Sequence, residues 1–177
     1  MPIFVEANQL NLLAFLFFVK MLLGFLLDNQ QAALEPATTL FSKGYIQGVT
    51  SQSLYVESHF YESLILLANC PNRFPATATN GVLPSPPGRA TGGEEPSLVR
   101  VATNQQQLKQ WATHCPANYQ PMYALVEAET ARVRGQPWQA VEWYEQAICA
   151  AQEHQVLHLE ALAYELAGTC YFAKKQS

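Results

Sequence analysis

Charge is scarce in this chain. Ten Lys and Arg and fourteen Asp and Glu among 177 residues leave 14% of positions charged and a net charge of −4. So few cations make no basic patch to neutralise phosphates, which disfavours nucleic acid as a partner. Cysteine is sparse as well. Cys70, Cys115, Cys149 and Cys170 are not closely paired, and each lies in or beside an apolar run. That is the pattern of reduced core thiols in a cytoplasmic protein rather than of a disulfide framework. No stretch alternates apolar and polar residues with period two over several positions, so no sheet is expected. The phosphate-cradling patterns G-x-x-x-x-G-K-[ST] and G-x-G-x-x-G are missing, as are H-R-D and D-F-G, and nothing here can hold ATP and magnesium in a known way. No cofactor and no catalytic residue are expected.

The residues that could carry chemistry fail on geometry. His154 and His158 are spaced like two ligands on one helical face, with Glu153 and Glu160 nearby, but a turn expected around Gln155 spoils the arrangement. Glu127 and Glu129 are two apart on a helix, so they point about 200° apart and cannot act as a carboxylate dyad. Cys149 lies on an apolar helix with no oxyanion donors in view, which suits a packed thiol better than a nucleophile. His59, in ESHFYESL, has nothing around it to support a phospho-acceptor role.

What the chain does have is apolar residues, 49% of the total, at helical spacing. The organising stretch is NYQPMYALVEAETARVRGQPWQAVEWYEQAICAAQEH. It reads as two helices, from about Pro121 to Arg134 and from Trp138 to about Glu153, folded back at Gly135-Gln136-Pro137. Gly135 can take the left-handed conformation that closes a helix, and Pro137 suits a first turn. Trp138, Val141, Tyr144, Ile148 and Ala151 fall on one face. Ala140, Tyr144 and Ala147 have the small–aromatic–small spacing that lets two helices approach closely, and Ala128 and Ala131 serve the first helix in the same way.

The apolar run from Leu10 to Leu27, LNLLAFLFFVKMLLGFLL, is just long enough to span a bilayer. Lys20 inside it, and Gly24 followed by Asp28-Asn29, favour a buried helix of a second hairpin. The return helix, residues 30–41, has Ala33, Ala37 and Leu40 at the spacing of Ala140, Tyr144 and Ala147, with Pro36 expected to bend or shorten it. A third helix, 49–68, is apolar over a wide arc and should be packed on more than one side. Six of the eleven prolines and four of the nine glycines crowd into residues 70–96, which reads as a loop or linker. The chain thus divides into 1–69, the linker 70–96, and a helical segment 97–177. In that last segment, Leu98, Val101, Leu108, Trp111 and Ala112 form one buried side. A final helix, 156–173, turns Leu159, Leu162, Ala163, Leu166 and Cys170 inward.

The Ala140–Tyr144–Ala147 spacing is the second-helix signature of a tetratricopeptide-type repeat. The usual Trp, Leu-Gly and Tyr of the first helix are absent. Longer segments, LYVESHFYESLILLA, VATNQQQLKQWATHCPANYQPMYALVEAETARVRGQPWQAVEWYEQAI and HLEALAYELAGTCYFA, resemble the helical-repeat region of very large bacterial signalling proteins. The most specific pieces are Trp111-Ala112, Ala117-Asn118-Tyr119, Leu125-Val126-Glu127-Ala128-Glu129 and residues 160–167, EALAYELA. The chain departs from that pattern at Pro36, at Gly44 and through its insert at 72–96.

The resemblance implies an all-α fold, antiparallel helix hairpins stacked as a tetratricopeptide-like α-solenoid. It also implies a non-catalytic scaffold or interaction segment of a protein that carries serine/threonine kinase, AAA-type ATPase, GAF sensor and histidine kinase domains. Partners would then be those adjacent domains or a peptide, the compartment cytoplasmic, and this chain a fragment. A stand-alone adaptor and a small protein anchored through Leu10 to Leu27 are the alternatives. The last helix also carries Leu157, Ala161, Tyr164 and Phe172 on its other side, so the isolated chain is expected to self-associate.

Overall fold

The computed structural model describes residues 2–49, 53–70 and 96–175, with side chains from Gln9 to Tyr171 within those ranges. The described residues form seven α-helices and one 3-10 turn, with no strand among them. The helices are α1 (Pro2–Leu26), α2 (Gln30–Ser42), α3 (Ser53–Ala68), α4 (Pro96–His114), α5 (Pro116–Val133), α6 (Pro137–Glu153) and α7 (Leu157–Lys175); the 3-10 turn is Tyr45–Val49. The chain divides into two compact units, Met1–Asn69 and Cys70–Ser177. The linker read at 70–96 lies, but for its end residues, outside the described residues.

Three of the connections are the same turn. After α1, the amide of Asp28 donates to the Phe25 carbonyl and that of Asn29 to Gly24; after α5, Gly135 donates to Arg132 and Gln136 to Ala131; after α6, Gln155 donates to Gln152 and Val156 to Ala151. This paired pattern ends a helix whose next residue is left-handed, and φ is +53° at Asp28, +72° at Gly135 and +57° at Gln155. In each case the last turn residue then accepts from the amide four positions on: Ala33 to Asn29, Ala140 to Gln136, Glu160 to Val156. The following helix therefore starts at once and folds back. Asn29 also caps α2, its side chain accepting from the Ala32 amide at 3.1 Å.

The hairpins α1–α2 and α5–α6 share their register. Counted from the last turn residue, Gly24 and Ala33 stand where Ala131 and Ala140 stand, Ala37 where Tyr144 stands, and Leu40 where Ala147 stands. Ala33, Ala37, Leu40, Ala140, Tyr144 and Ala147 are all buried. A Cβ on Gly24 would lie 2.8 Å from the Ala33 backbone, so only glycine permits this approach. Gly24→Ala should accordingly lower stability. The helix-propensity gain of about 1 kcal/mol is outweighed by roughly 1–3 kcal/mol of overpacking against backbone that cannot swing aside. A urea midpoint at or above wild type would contradict the close approach.

Both internal prolines are accommodated. Helix α2 continues through Pro36, and α5 begins at Pro116 and runs through Pro121. The expected start at Pro121 is therefore five residues late. The amide that Pro121 cannot offer would have served the carbonyl of Ala117, an exposed residue, where water can replace it. Helix α3 begins at Ser53 rather than at Val49, which belongs to the 3-10 turn. It buries Val56, Phe60, Tyr61, Leu64, Ile65 and Leu67, as its wide apolar arc predicts. Phe25 and Phe60 meet Tyr61 edge-on, with ring centroids 5.6 and 5.0 Å apart.

Helix α1 departs from the expectation of a buried helix. Ala14, Phe18, Met21 and Phe25 form one buried stripe, while Leu12, Phe15, Leu16, Leu23, Leu26 and Leu27 are exposed. Its neighbours α2, α3 and the 3-10 turn cover one side only of a helix that is apolar all round.

Candidate functional site

The repeat-packing residues gather in the unit formed by α4 to α7. Ala128, Ala131, Ala140, Tyr144 and Ala147 are buried where α5 meets α6. Ile148 is half-buried at the edge of the contact. Trp138 does not belong to it: its side chain is 73% exposed. At 3.6 residues per turn it lies about 120° round α6 from Tyr144, so its spacing to Val141 placed it on a face that the helix contact does not reach. On α7 the inward stripe is Leu159, Ala163, Ala167 and Cys170, with Leu162 and Leu166 only half-buried.

Inside this packing is a buried polar network. Glu129, 3% exposed, accepts from Arg132 Nε at 2.9 Å and Nη2 at 2.6 Å, and from the Tyr144 hydroxyl. Burial, and after it the charge and hydrogen bond of Glu129, push the Tyr144 phenol up from its ordinary value. Helix α7, which carries the buried Cys170, contacts both α5 and α6. Spacing alone had set Glu127 and Glu129 on different sides of α5 but gave no sign that Glu129 is enclosed.

The other side of α5 faces α4. Tyr123, Glu127 and Thr130 of α5 and Arg134, which caps it, follow one another by four, three and four residues, opposite Gln105 and Lys109 of α4. Together with Leu98 and Val101 they line a cavity of about 240 Å³. Gln105 Nε2 donates to the Tyr123 carbonyl at 3.2 Å and to Glu127 Oε1 at 2.9 Å. Burial, followed by the charge of Glu127 and a hydrogen bond to it, raises the Tyr123 phenol. The Tyr123 ring is held edge-on against Trp143 of α6, centroids 5.9 Å apart. Gln105 and Thr130 are each 8% exposed, and Gln105 Oε1 and Thr130 Oγ1 have no hydrogen-bond partner. A lone Gln and a lone Thr on a helix carry no motif, so nothing in the sequence marks this groove.

The described residues contain no cluster of three or more His, Cys, Asp or Glu able to hold a metal ion. His154 and His158 lie on opposite sides of the turn that closes α6. Cys149 is exposed, where a packed thiol had been expected. No protein-family model, curated protein or solved structure matches the chain.

Proposed function

We propose that this chain is a non-catalytic helical-repeat segment, antiparallel hairpins stacked in the tetratricopeptide-like manner, that serves protein–protein interaction. The observation that supports this reading most is the pair of hairpins, α1–α2 and α5–α6, with the same turn and the same buried register. Helix α7 fits the part of the next first helix. It contacts both α5 and α6 and still exposes Leu157 at 73%, Tyr164 at 52% and Tyr171 at 45%. In a stacked array that side is covered by the following helix. The parent context we infer is a cytoplasmic multidomain signalling kinase with ATPase and GAF sensor domains, and the partners those domains or a peptide; an independent adaptor would use the same surfaces.

The test is light scattering. The chain should self-associate, and a version extended past Ser177 by a three-residue turn and a copy of α6 should associate more weakly, the exposed side of α1 being common to both. Equal association of the two would remove α7 from the role of an inner array helix.

A second reading draws on α1. The window Gln9–Leu26 is long and apolar enough to cross a membrane and is only 22% buried. A membrane-anchored helical protein would turn Leu12, Phe15 and Leu16 towards lipid. Retention in the membrane fraction through a carbonate wash would favour this reading; release into the supernatant would favour the array.

A further inference from the structure

The α4–α5 groove has an unusual hydrogen-bond inventory. An amide nitrogen offers two donors, and both of those on Gln105 are taken, by the Tyr123 carbonyl and by Glu127. Since both partners are acceptors, the amide cannot be turned round. Its oxygen is left with lone pairs only, and Gln105 Oε1 has no partner.

Thr130 departs from its peers. Thr38, Ser58, Ser63, Thr103, Thr113 and Thr169 all donate to the carbonyl four residues earlier. Thr130, helical like them and only 8% exposed, makes no such bond. Buried polar groups without partners cost about 1–3 kcal/mol each, and two of them border one cavity beside a carboxylate and an aromatic ring.

An occupant must therefore donate hydrogen bonds, tolerate the Glu127 charge and fit in about 240 Å³. That volume admits one side chain rather than a drug-sized ligand. A guanidinium is planar, carries five N–H donors and no acceptor, and stacks on aromatic faces. The cations Lys109 and Arg134 are exposed and sit towards opposite ends of the groove, one turn beyond Gln105 and Thr130 respectively. There their long side chains can extend into water.

We propose that the α4–α5 groove is the seat for an arginine side chain of a partner peptide, its guanidinium bound by Glu127, Gln105 Oε1 and Thr130 Oγ1 against the Tyr123 ring. This gives the partner of the interaction segment a chemistry, and rests on that reading only for the arginine's being carried by a protein.

The experiment is titration of the full chain with N-acetyl-arginine methylamide, followed by nitrogen-resolved NMR. The Gln105 side-chain amide and the Thr130 resonances should shift saturably. The citrulline analogue, which keeps the shape and most donors but not the charge, should bind at least tenfold more weakly, and the norleucine analogue should leave both resonances in place. Glu127→Gln should weaken arginine binding at least tenfold and Thr130→Val several-fold, with the remaining spectrum unchanged. Should a variant fail to fold, the comparison of the three analogues on the wild-type chain decides. The proposal is overturned if arginine shifts nothing, the orphaned oxygens then being served by water. It is overturned equally if norleucine matches arginine, if Glu127→Gln binds as wild type, or if N-acetyl-glutamate is the analogue that binds. Any of these leaves the light-scattering test of the array untouched.

Discussion

Glu129→Ala is expected to lose about 3–5 kcal/mol of stability, the cost of removing one partner from a buried ion pair. Glu129 is the acceptor for two Arg132 nitrogens and for the Tyr144 hydroxyl, and all three donors lie in or beside the packing of α5, α6 and α7. Truncation takes that acceptor away and leaves a cavity. Replacing the whole network is a different perturbation. The triple variant Glu129→Leu, Arg132→Met, Tyr144→Phe buries no charge and keeps much of the volume, so it should recover most of the loss. Urea unfolding of both variants, followed by helical circular dichroism, separates the two effects. If Glu129→Ala cost under about 1 kcal/mol, the network would be contributing no more than an exposed ion pair does.

High pH should unfold the protein through its buried phenols. Burial, with a smaller contribution from the Glu57 charge, pushes Tyr61 from 10.0 up to about 12. A pKa raised on folding means that the folded state holds its proton more tightly. The stability so contributed is complete below pH 10.0, the unfolded value, and is lost as pH climbs through about 12. That difference is worth roughly 3 kcal/mol, and Tyr144 is displaced in the same direction. The urea midpoint should therefore fall steeply between about pH 10 and about pH 12. Tyr61→Phe should fall less steeply over that range. A midpoint flat across this window would mean that neither ring is shielded from water in solution.

Much of the helical architecture could be read from residue spacing, because an amphipathic stripe reports directly on which face is covered. The buried triplets Ala33–Ala37–Leu40 and Ala140–Tyr144–Ala147 are of this kind, and so is the turn at Gly135. The turns at Asp28 and Gln155 adopt the same left-handed conformation without glycine. There the hydrogen-bond pattern of the closing helix, not the residue, sets the geometry; the breaks at Asp28-Asn29 and around Gln155 were legible as turns, their left-handed residue was not. Trp138 misled because steps of three and four residues drift round a helix, and by Trp138 the drift from the buried Tyr144 reaches about 120°. The polar parts were least legible. Enclosure of Glu129, and the unpartnered oxygens of Gln105 and Thr130, depend on what the adjacent helices bring opposite them, which no single-helix pattern encodes.

The turns have a consequence for how the chain finds its structure. From α4 to α7 each helix contacts its successor across a connection of one or three residues, and the one further pairing joins α5 to α7. Among the described residues, the contacts between these helices are thus made mostly between neighbours in sequence, so little loop-closure entropy is lost before it is repaid. Low contact order of this sort belongs to domains that fold in microseconds to milliseconds. The hairpin α5–α6, which holds Glu129 against Tyr144, is the natural nucleus. Substitutions at that pair should slow refolding, whereas losses on the outer side of α7 should speed unfolding instead.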